Sequence, residues 1–331
     1  MESLNNTPLP PTQQRAQAWQ TLGNTHWDVL VVGGGASGLG VALDCALRGL
    51  RTALVEAGDY ASATSGASTK LIHGGVRYLE KAVKELDFGQ YRLVREALSE
   101  RRGMIVRAPH LAHPQGIVLP VYSAWQRFYY GLGLKAYDAM AGGGTLIASQ
   151  TLNARQAKDW FPLIETRKQR GGILFYDGQF DDAAYANVIA QSAIRAGATL
   201  LNHCRVQHLG PCRPASGRSV GIRNEITGET LEVQARVVVN CTGHFADTLR
   251  QWAKPGVAPR IRPSKGIHIM VPMGASRMKA GMLIPKTDDG RVVFVLPWNS
   301  SLLIGTTDTE MTDVHDSPTP TAQDVDYLLE Q

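Results

Sequence analysis

Gly33, Gly35 and Gly38 stand in G-x-G-x-x-G spacing within "VVGGGASGLG", residues 31–40. Glycines at these offsets let a chain turn tightly, bring backbone against a pyrophosphate and pack a helix closely on a strand. Glu56 follows 18 positions after Gly38, where a carboxylate accepts hydrogen bonds from ribose hydroxyls. A helix starting after the glycines presents free N–H groups and a positive dipole end to phosphate. The chemistry implied is recognition of a dinucleotide, and both FAD and NAD fit it.

The flanking elements must hold these residues in place. Val29-Leu30-Val31-Val32 is a short apolar, β-branched run suited to a strand buried on both faces of a parallel sheet. Leu39, Leu43, Ala46, Leu47 and Leu50 recur at helical spacing, Gly49 sits at the C-cap, and Thr52 to Glu56 predicts a second strand. A later strand, Val237 to Asn240, runs into Cys241-Thr242-Gly243, which brings backbone and a hydroxyl toward the same dinucleotide. Further strands are predicted at 173–176, 267–272, 292–297 and 302–304, with a helix over 182–196.

Phe88, Tyr91, Val94 and Leu98 predict a helical stripe flanked by the charged residues Arg92, Arg95, Glu96, Glu100 and Arg101, with core packing on one face as the first reading and a membrane-lying helix as the alternative. The aromatics Tyr122, Trp125, Phe128, Tyr129, Tyr130 and Tyr137 are expected to pack a second domain. The resulting fold class is α/β, a Rossmann-like dinucleotide-binding domain with an inserted α+β substrate domain containing an antiparallel sheet. The expected divisions are a flexible leader over 1–26, the binding domain over 27–84 and 236–259, and the substrate domain over 85–235 and 260–331.

At 331 residues, 44% hydrophobic and 19% charged, the chain is globular in composition and long enough for more than one domain. A formal net charge of +5 suits an anionic substrate, an anionic lipid surface or simple solubility, with a solvated basic surface the reading for most of these charges, and no Lys/Arg block points to nucleic acid. Cys45, Cys204, Cys212 and Cys241 form no C-x-x-C pair and no metal-ligand spacing with His. They are expected to be reduced thiols, and no bound metal is expected. No apolar run reaches 18 residues.

One stretch is far more specific than the glycine fingerprint: "STKLIHGGVRYLE", Ser68 to Glu80. With "VVGGGASG", "APHL" at 108–111, "CTG" at 241–243, "SKGIHI" at 264–269, "VVFVLPW" at 292–298 and "IGTTDTE" at 304–310, the chain resembles the FAD-dependent glycerol-3-phosphate dehydrogenases from about residue 27 onward. "FYDGQFDDA" and the run from Val76 to Leu98 are closer to the mitochondrial type, whereas Lys265 follows the bacterial one. The resemblance implies FAD, oxidation of sn-glycerol 3-phosphate to dihydroxyacetone phosphate, and electron delivery to a membrane quinone. It further implies a cytoplasmic protein attached peripherally to the inner face of the cell membrane, with a homodimer as the oligomer to expect. The alternatives are an FAD oxidoreductase or oxidase of another small anion, and an FAD-binding fragment without activity.

The resemblance also assigns residues. Those expected at FAD are Gly33, Gly34, Gly35, Ala36, Ser37, Gly38, Glu56, Ser65, Ser68, Thr69, Lys70, Leu71, His73, Gly74, Thr242 and Gly243. Arg77 matches a family Arg and suits a phosphate dianion through its planar fork. Tyr78 adds a hydroxyl donor, and Lys265 binds phosphate or polarises the substrate oxygen. His73 is either the general base, its imidazole titrating near neutral pH, or a structural partner of the flavin. His268 is expected to be structural; Thr306, Thr307 and Asp308 are expected to line the cavity, or Asp308 to stabilise a turn. The family's Ala-Thr-Gly-Pro reads Cys241-Thr242-Gly243-His244 here. The family pattern also continues past residue 331 with Ser-Gly-(Val/Ile)-Arg-Pro and Gly-Gly-Lys motifs, so a C-terminally truncated member is expected.

Overall fold

In a computed structural model of the chain, residues 10–75, 87–141, 146–165, 167–215, 217–274, 277–285, 287, 291–312 and 318–330 are described. Two compact units share the sequence: Met1–Ala67, Asp182–Pro263 and Thr312–Asp316 in one, Ser68–Asp181, Ser264–Met311 and Ser317–Gln331 in the other.

The first unit is built on a six-stranded sheet. Strand His26–Val32 lies at its centre, parallel to Thr52–Val55 on one side and to Thr230–Asn240 on the other. Thr199–Leu201 extends the parallel half, and the antiparallel strands Gly217–Asn224 and Cys204–Arg213 extend the other. Side chains alternate between faces, as the pleat requires. Val29, Val31, Leu54 and Leu200 pack under helices Ala36–Leu47 and Asp182–Arg195. Leu30, Val32, Ala53, Val55 and Leu201 pack on the opposite face with Trp19, Leu22 and Leu249.

Two expectations are corrected here. Part of the supposed flexible leader is a helix, Pro11–Asn24, whose Trp19 and Leu22 are buried in that second core. Arg15 on the same helix donates to the side chain and carbonyl of Asn202, both at 2.7 Å. The leader's polar composition hid two apolar anchors. The strands between 199 and 224, expected in the substrate domain, also belong to this first sheet, because each pairs with a neighbour already in it.

The second unit carries an eight-stranded sheet whose longest antiparallel pair is Ala112–Val121 and Gly171–Phe180. The short strand Leu71–Ile72 pairs with Gly178 and Gln179 at one edge. Strands Gly281–Ile284, Val293–Trp298, Ser301–Gly305 and His268–Pro272 continue the other side. Helix Phe88–Arg107 starts at Asp87, whose carboxylate accepts the N–H groups of Gly89 and Gln90. It packs on helix Ala124–Ala141 through Val94, Leu98 and Tyr137.

The expected stripe holds only in part. Val94 and Leu98 are buried, but Phe88 is 84% exposed, while Arg101, read as a surface residue, is 2% exposed. Of the 119–140 aromatics, Tyr137 is buried, whereas Trp125, Phe128 and Tyr122 face outward. Helical spacing identifies a face but not how far along the helix its neighbours reach.

Candidate functional site

The first unit assembles the glycine cradle. Gly33 ends the central strand with φ +108°, and a Cβ there would lie 2.4 Å from the carbonyl oxygen of Cys241. A Cβ at Gly38 would lie 1.8 Å from the Gly33 carbonyl oxygen. The turn, the first turn of the helix and the Cys241–Thr242 segment are therefore in backbone contact, and only glycine fits at both positions. Gly35 takes the N-cap position and brings no side chain to the helix end. Ser65 Oγ accepts the Ala36 N–H at 2.9 Å. Ser37, in the first turn, is exposed.

Glu56 closes the other side. Its carboxylate accepts the Gly34 N–H at 2.6 Å and the Gly58 N–H at 2.7 Å. A carboxylate offers about four acceptor positions, so the half-buried group keeps capacity for ribose hydroxyls. Thr242 donates its hydroxyl to Asn240 Oδ1 at 2.8 Å, and Gly243 follows at φ +57°, exposed. Backbone closeness, a helix end whose N-cap residue is glycine and an acid with spare lone pairs together fit the phosphates and ribose of a dinucleotide. Gly33 to Gly38, Glu56, Ser65, Thr242 and Gly243 are all part of this one assembly.

Cys241 lies beside the cradle, and burial pushes its thiol pKa up. Among the described residues no cluster of His, Cys, Asp or Glu is placed to hold a metal.

The second unit carries the remaining residues. Ser68 Oγ accepts the Lys70 N–H at 3.0 Å, and Thr69 Oγ1 lies 2.9 Å from His268 Nε2. Lys70 has φ +60°, and its ammonium stands 5.9 Å above the Trp298 ring. Leu71 enters the sheet opposite Gln179. His73 then emerges with an exposed side chain, while Gly74 is buried. Arg77 and Tyr78 lie outside the described residues.

Lys265 does not stand as expected. Its side chain is 5% exposed, and its ammonium donates to Asp324 Oδ2 at 2.5 Å and to the Thr319 carbonyl at 3.3 Å. That ammonium, with the Thr321 hydroxyl and N–H, holds the Asp324 carboxyl well below the usual carboxylate range. The structure therefore gives Lys265 a buried ion pair that ties strand Ser264–Lys265 to helix Ala322–Glu330, rather than an open cation. The cause lies 59 residues downstream, where the sequence pattern offers no pointer. Asp308 accepts the Ser264 hydroxyl, and Thr307 Oγ1 accepts the Ile267 N–H, so both are engaged within the fold.

Sequence reasoning also missed a buried polar group beside Gly74. Tyr137 OH accepts the Gly74 N–H at 2.6 Å and donates to Asp177 Oδ1 at 2.9 Å. Arg101 pairs with the same carboxylate and reaches the Tyr176 carbonyl at 3.2 Å. The Arg101 and Asp177 side chains are 2% and 3% exposed. Burial pushes the Asp177 carboxyl up against the opposing pull of Arg101, and pushes Tyr137 well above the usual phenol range. A carboxylate in an otherwise uncharged strand, Asp177 within "ILFYDGQF", is the available signal.

Comparison with known proteins places the chain. Residues 28–331 match the model of the DAO family, FAD dependent oxidoreductase. The probable mitochondrial glycerol-3-phosphate dehydrogenase of Caenorhabditis elegans is 46% identical over 309 residues, covering 92% of this chain and 42% of that protein. Its Bos taurus counterpart is 44% identical over 326 residues, covering 97% and 45%. The chain thus spans less than half the length of these curated relatives. The crystal structure of the glycerol-3-phosphate dehydrogenase from Bacillus halodurans complexed with FAD matches with a TM-score of 0.76 at 29% identity, covering 96% of this chain and 54% of that one. The chain belongs to the family of FAD dependent oxidoreductases.

Proposed function

We propose that this family member takes part in oxidising sn-glycerol 3-phosphate to dihydroxyacetone phosphate. The observation that carries the reading is the cradle formed by Gly33, Gly38 and Cys241 with Glu56, in a chain 44–46% identical to two glycerol-3-phosphate dehydrogenases. The cradle suits the dinucleotide part of FAD, with backbone amides toward the pyrophosphate and Glu56 toward the ribose. When bound, FAD supplies the two-electron acceptor that takes hydride from the substrate carbon.

The chain's own residues then have two tasks. His73, exposed and following directly on the edge strand, accepts the proton of the substrate hydroxyl. Arg77, placed by sequence alone, binds the phosphate, and Tyr78 adds a donor beside it. Lys265 takes no part, because its charge is already matched by Asp324. The electrons pass on to a membrane quinone, and the protein attaches peripherally to the inner face of the cell membrane as a homodimer. The family resemblance and the +5 net charge support the surface attachment.

The test is anaerobic. The purified chain is reconstituted with FAD and mixed with glycerol 3-phosphate. The flavin absorbance is expected to bleach with matching formation of dihydroxyacetone phosphate. A flavin that dithionite bleaches but glycerol 3-phosphate does not would refute the substrate.

A further inference from the structure

The proton acceptor proposed above sits one residue before a buried polar unit that touches no surface. Tyr137, Asp177 and Arg101 come from helix Ala124–Ala141, strand Gly171–Phe180 and helix Phe88–Arg107. They form one chain of hydrogen bonds ending on the Gly74 N–H. We propose that this unit positions His73: it anchors the main chain at Gly74 and so fixes where the imidazole stands. The assignment of His73 as proton acceptor rests on the function proposed above; the positioning does not.

Three observations carry it. First, the anchor is directional. The Tyr137 hydroxyl has one hydrogen, which goes to Asp177, so its oxygen is left to accept the Gly74 N–H. Arg101 pins the carboxylate, and its guanidinium carbon stands 5.7 Å from the centre of the Tyr137 ring.

Second, the approach is close enough to exclude a side chain. A Cβ on Gly74 would lie 2.6 Å from the Tyr137 oxygen and 2.5 Å from Leu98 Cδ2. The loop is pressed onto the unit on the helix side. On the other side, Leu71 and Ile72 are held in register with Gln179 and Gly178. His73 is the residue between these two attachments.

Third, the arrangement is costly to build for packing alone. A carboxylate and a guanidinium out of water need a compensating role, since apolar residues of similar size would fill the space as well. Among the described residues, the Arg101 Nε has no hydrogen-bond partner. A hydrogen-bond acceptor aimed at a backbone amide is something apolar residues cannot supply. Among the described residues, the charged groups facing Tyr137 and Gly74 are Asp177 and Arg101, and His73 contributes to the field at Asp177.

The experiment compares the parent chain with Tyr137→Phe, which removes one oxygen and keeps the ring. Gly74→Ala, which pushes the same contact from the opposite side, is the second variant. Amide exchange of the peptide containing Gly74 and carbethoxylation of His73, referenced to His113, are read by mass spectrometry in the FAD-reconstituted chain. Exchange at Gly74 is expected to speed up by about 10-fold in Tyr137→Phe. His73 reactivity is expected to change several-fold, with His113 unchanged. The rate of flavin reduction by glycerol 3-phosphate is expected to fall by about 10- to 100-fold, with half-saturation shifted by no more than about twofold.

Unchanged exchange and unchanged His73 reactivity in both variants would overturn the positioning claim. So would faster exchange with an unaltered reduction rate in a parent that turns over. A parent that glycerol 3-phosphate never reduces refutes the substrate instead, and the exchange and carbethoxylation results then decide the positioning by themselves.

Discussion

The glycine cradle of the first unit and the His73 loop of the second solve opposite problems. The cradle is made of backbone. Its tightest contacts are those that a Cβ would destroy, at Gly33 and Gly38, and its partners Cys241 and Thr242 arrive on the adjacent parallel strand. The His73 loop is held by side chains. Its anchor joins Gly74 to Tyr137, Asp177 and Arg101, partners separated by 63, 40 and 76 residues along the network. A surface made of main-chain amides suits a charged, extended ligand that must be gripped along its length. A loop tied down by a single buried acceptor suits one side chain that must be aimed. The first tolerates no added atom, and the second tolerates no lost one.

The largest expected effect breaks the cradle. Gly38→Val would drive side-chain atoms into the Gly33 carbonyl and is expected to weaken FAD binding by about 100-fold or more, a loss read by fluorescence titration.

A smaller but still large effect breaks the anchor. Asp177→Ala strands a buried guanidinium and is expected to cost about 3–5 kcal/mol in chemical denaturation. A loss under about 1 kcal/mol, the scale of an exposed pair, would mean that Arg101 finds water.

Glu56→Gln is expected to weaken FAD by about 10-fold, since one charge-assisted hydrogen bond becomes a neutral one. Equal affinity in parent and variant at limiting FAD would remove Glu56 from ribose binding and leave it as the brace for Gly34 and Gly58.

The smallest effect sharpens the account of the sheet beneath the cradle. Arg51 holds the Asp28 carboxyl down at about 2, below its ordinary 3.8. The folded value lies below the unfolded one, so this contribution to stability is complete above about pH 4 and is lost as pH falls toward 2. Asp28→Asn is expected to lower stability slightly above pH 5, where the contribution is fully present, and to flatten that acid limb, so that parent and variant converge as pH falls toward 2. An identical acid limb in both proteins would show that the pair is solvated in the unfolded and folded states alike.

The two regions also differ in how readable they were. The cradle could be located from spacing because backbone contact demands small residues at fixed offsets, and the strand–turn–helix order is local. Ser65 and the Cys241–Gly243 segment come from resemblance and strand pattern; in the structure Ser65 Oγ accepts the Ala36 N–H and the Cys241 carbonyl lies against Gly33. Lys265 shows the opposite case. Its motif suggested an open cation, but a carboxylate from helix Ala322–Glu330 neutralises it. Arg101 looked like one more charge on a solvated helix face, since helical periodicity does not reveal that a buried aspartate waits on a strand 76 residues away. The N-terminal helix was hidden for a related reason: two apolar anchors, Trp19 and Leu22, suffice in a polar segment when a sheet face is ready to receive them.

The contrast itself can be tested in one measurement, equilibrium titration of FAD into the parent chain, Gly38→Val and Tyr137→Phe under identical conditions. The account predicts that Gly38→Val loses affinity by about 100-fold or more, while Tyr137→Phe stays within about twofold of the parent. Full affinity in Gly38→Val, or a loss in Tyr137→Phe as large as that in Gly38→Val, would contradict the division between a backbone cradle that holds the cofactor and a side-chain anchor that aims His73.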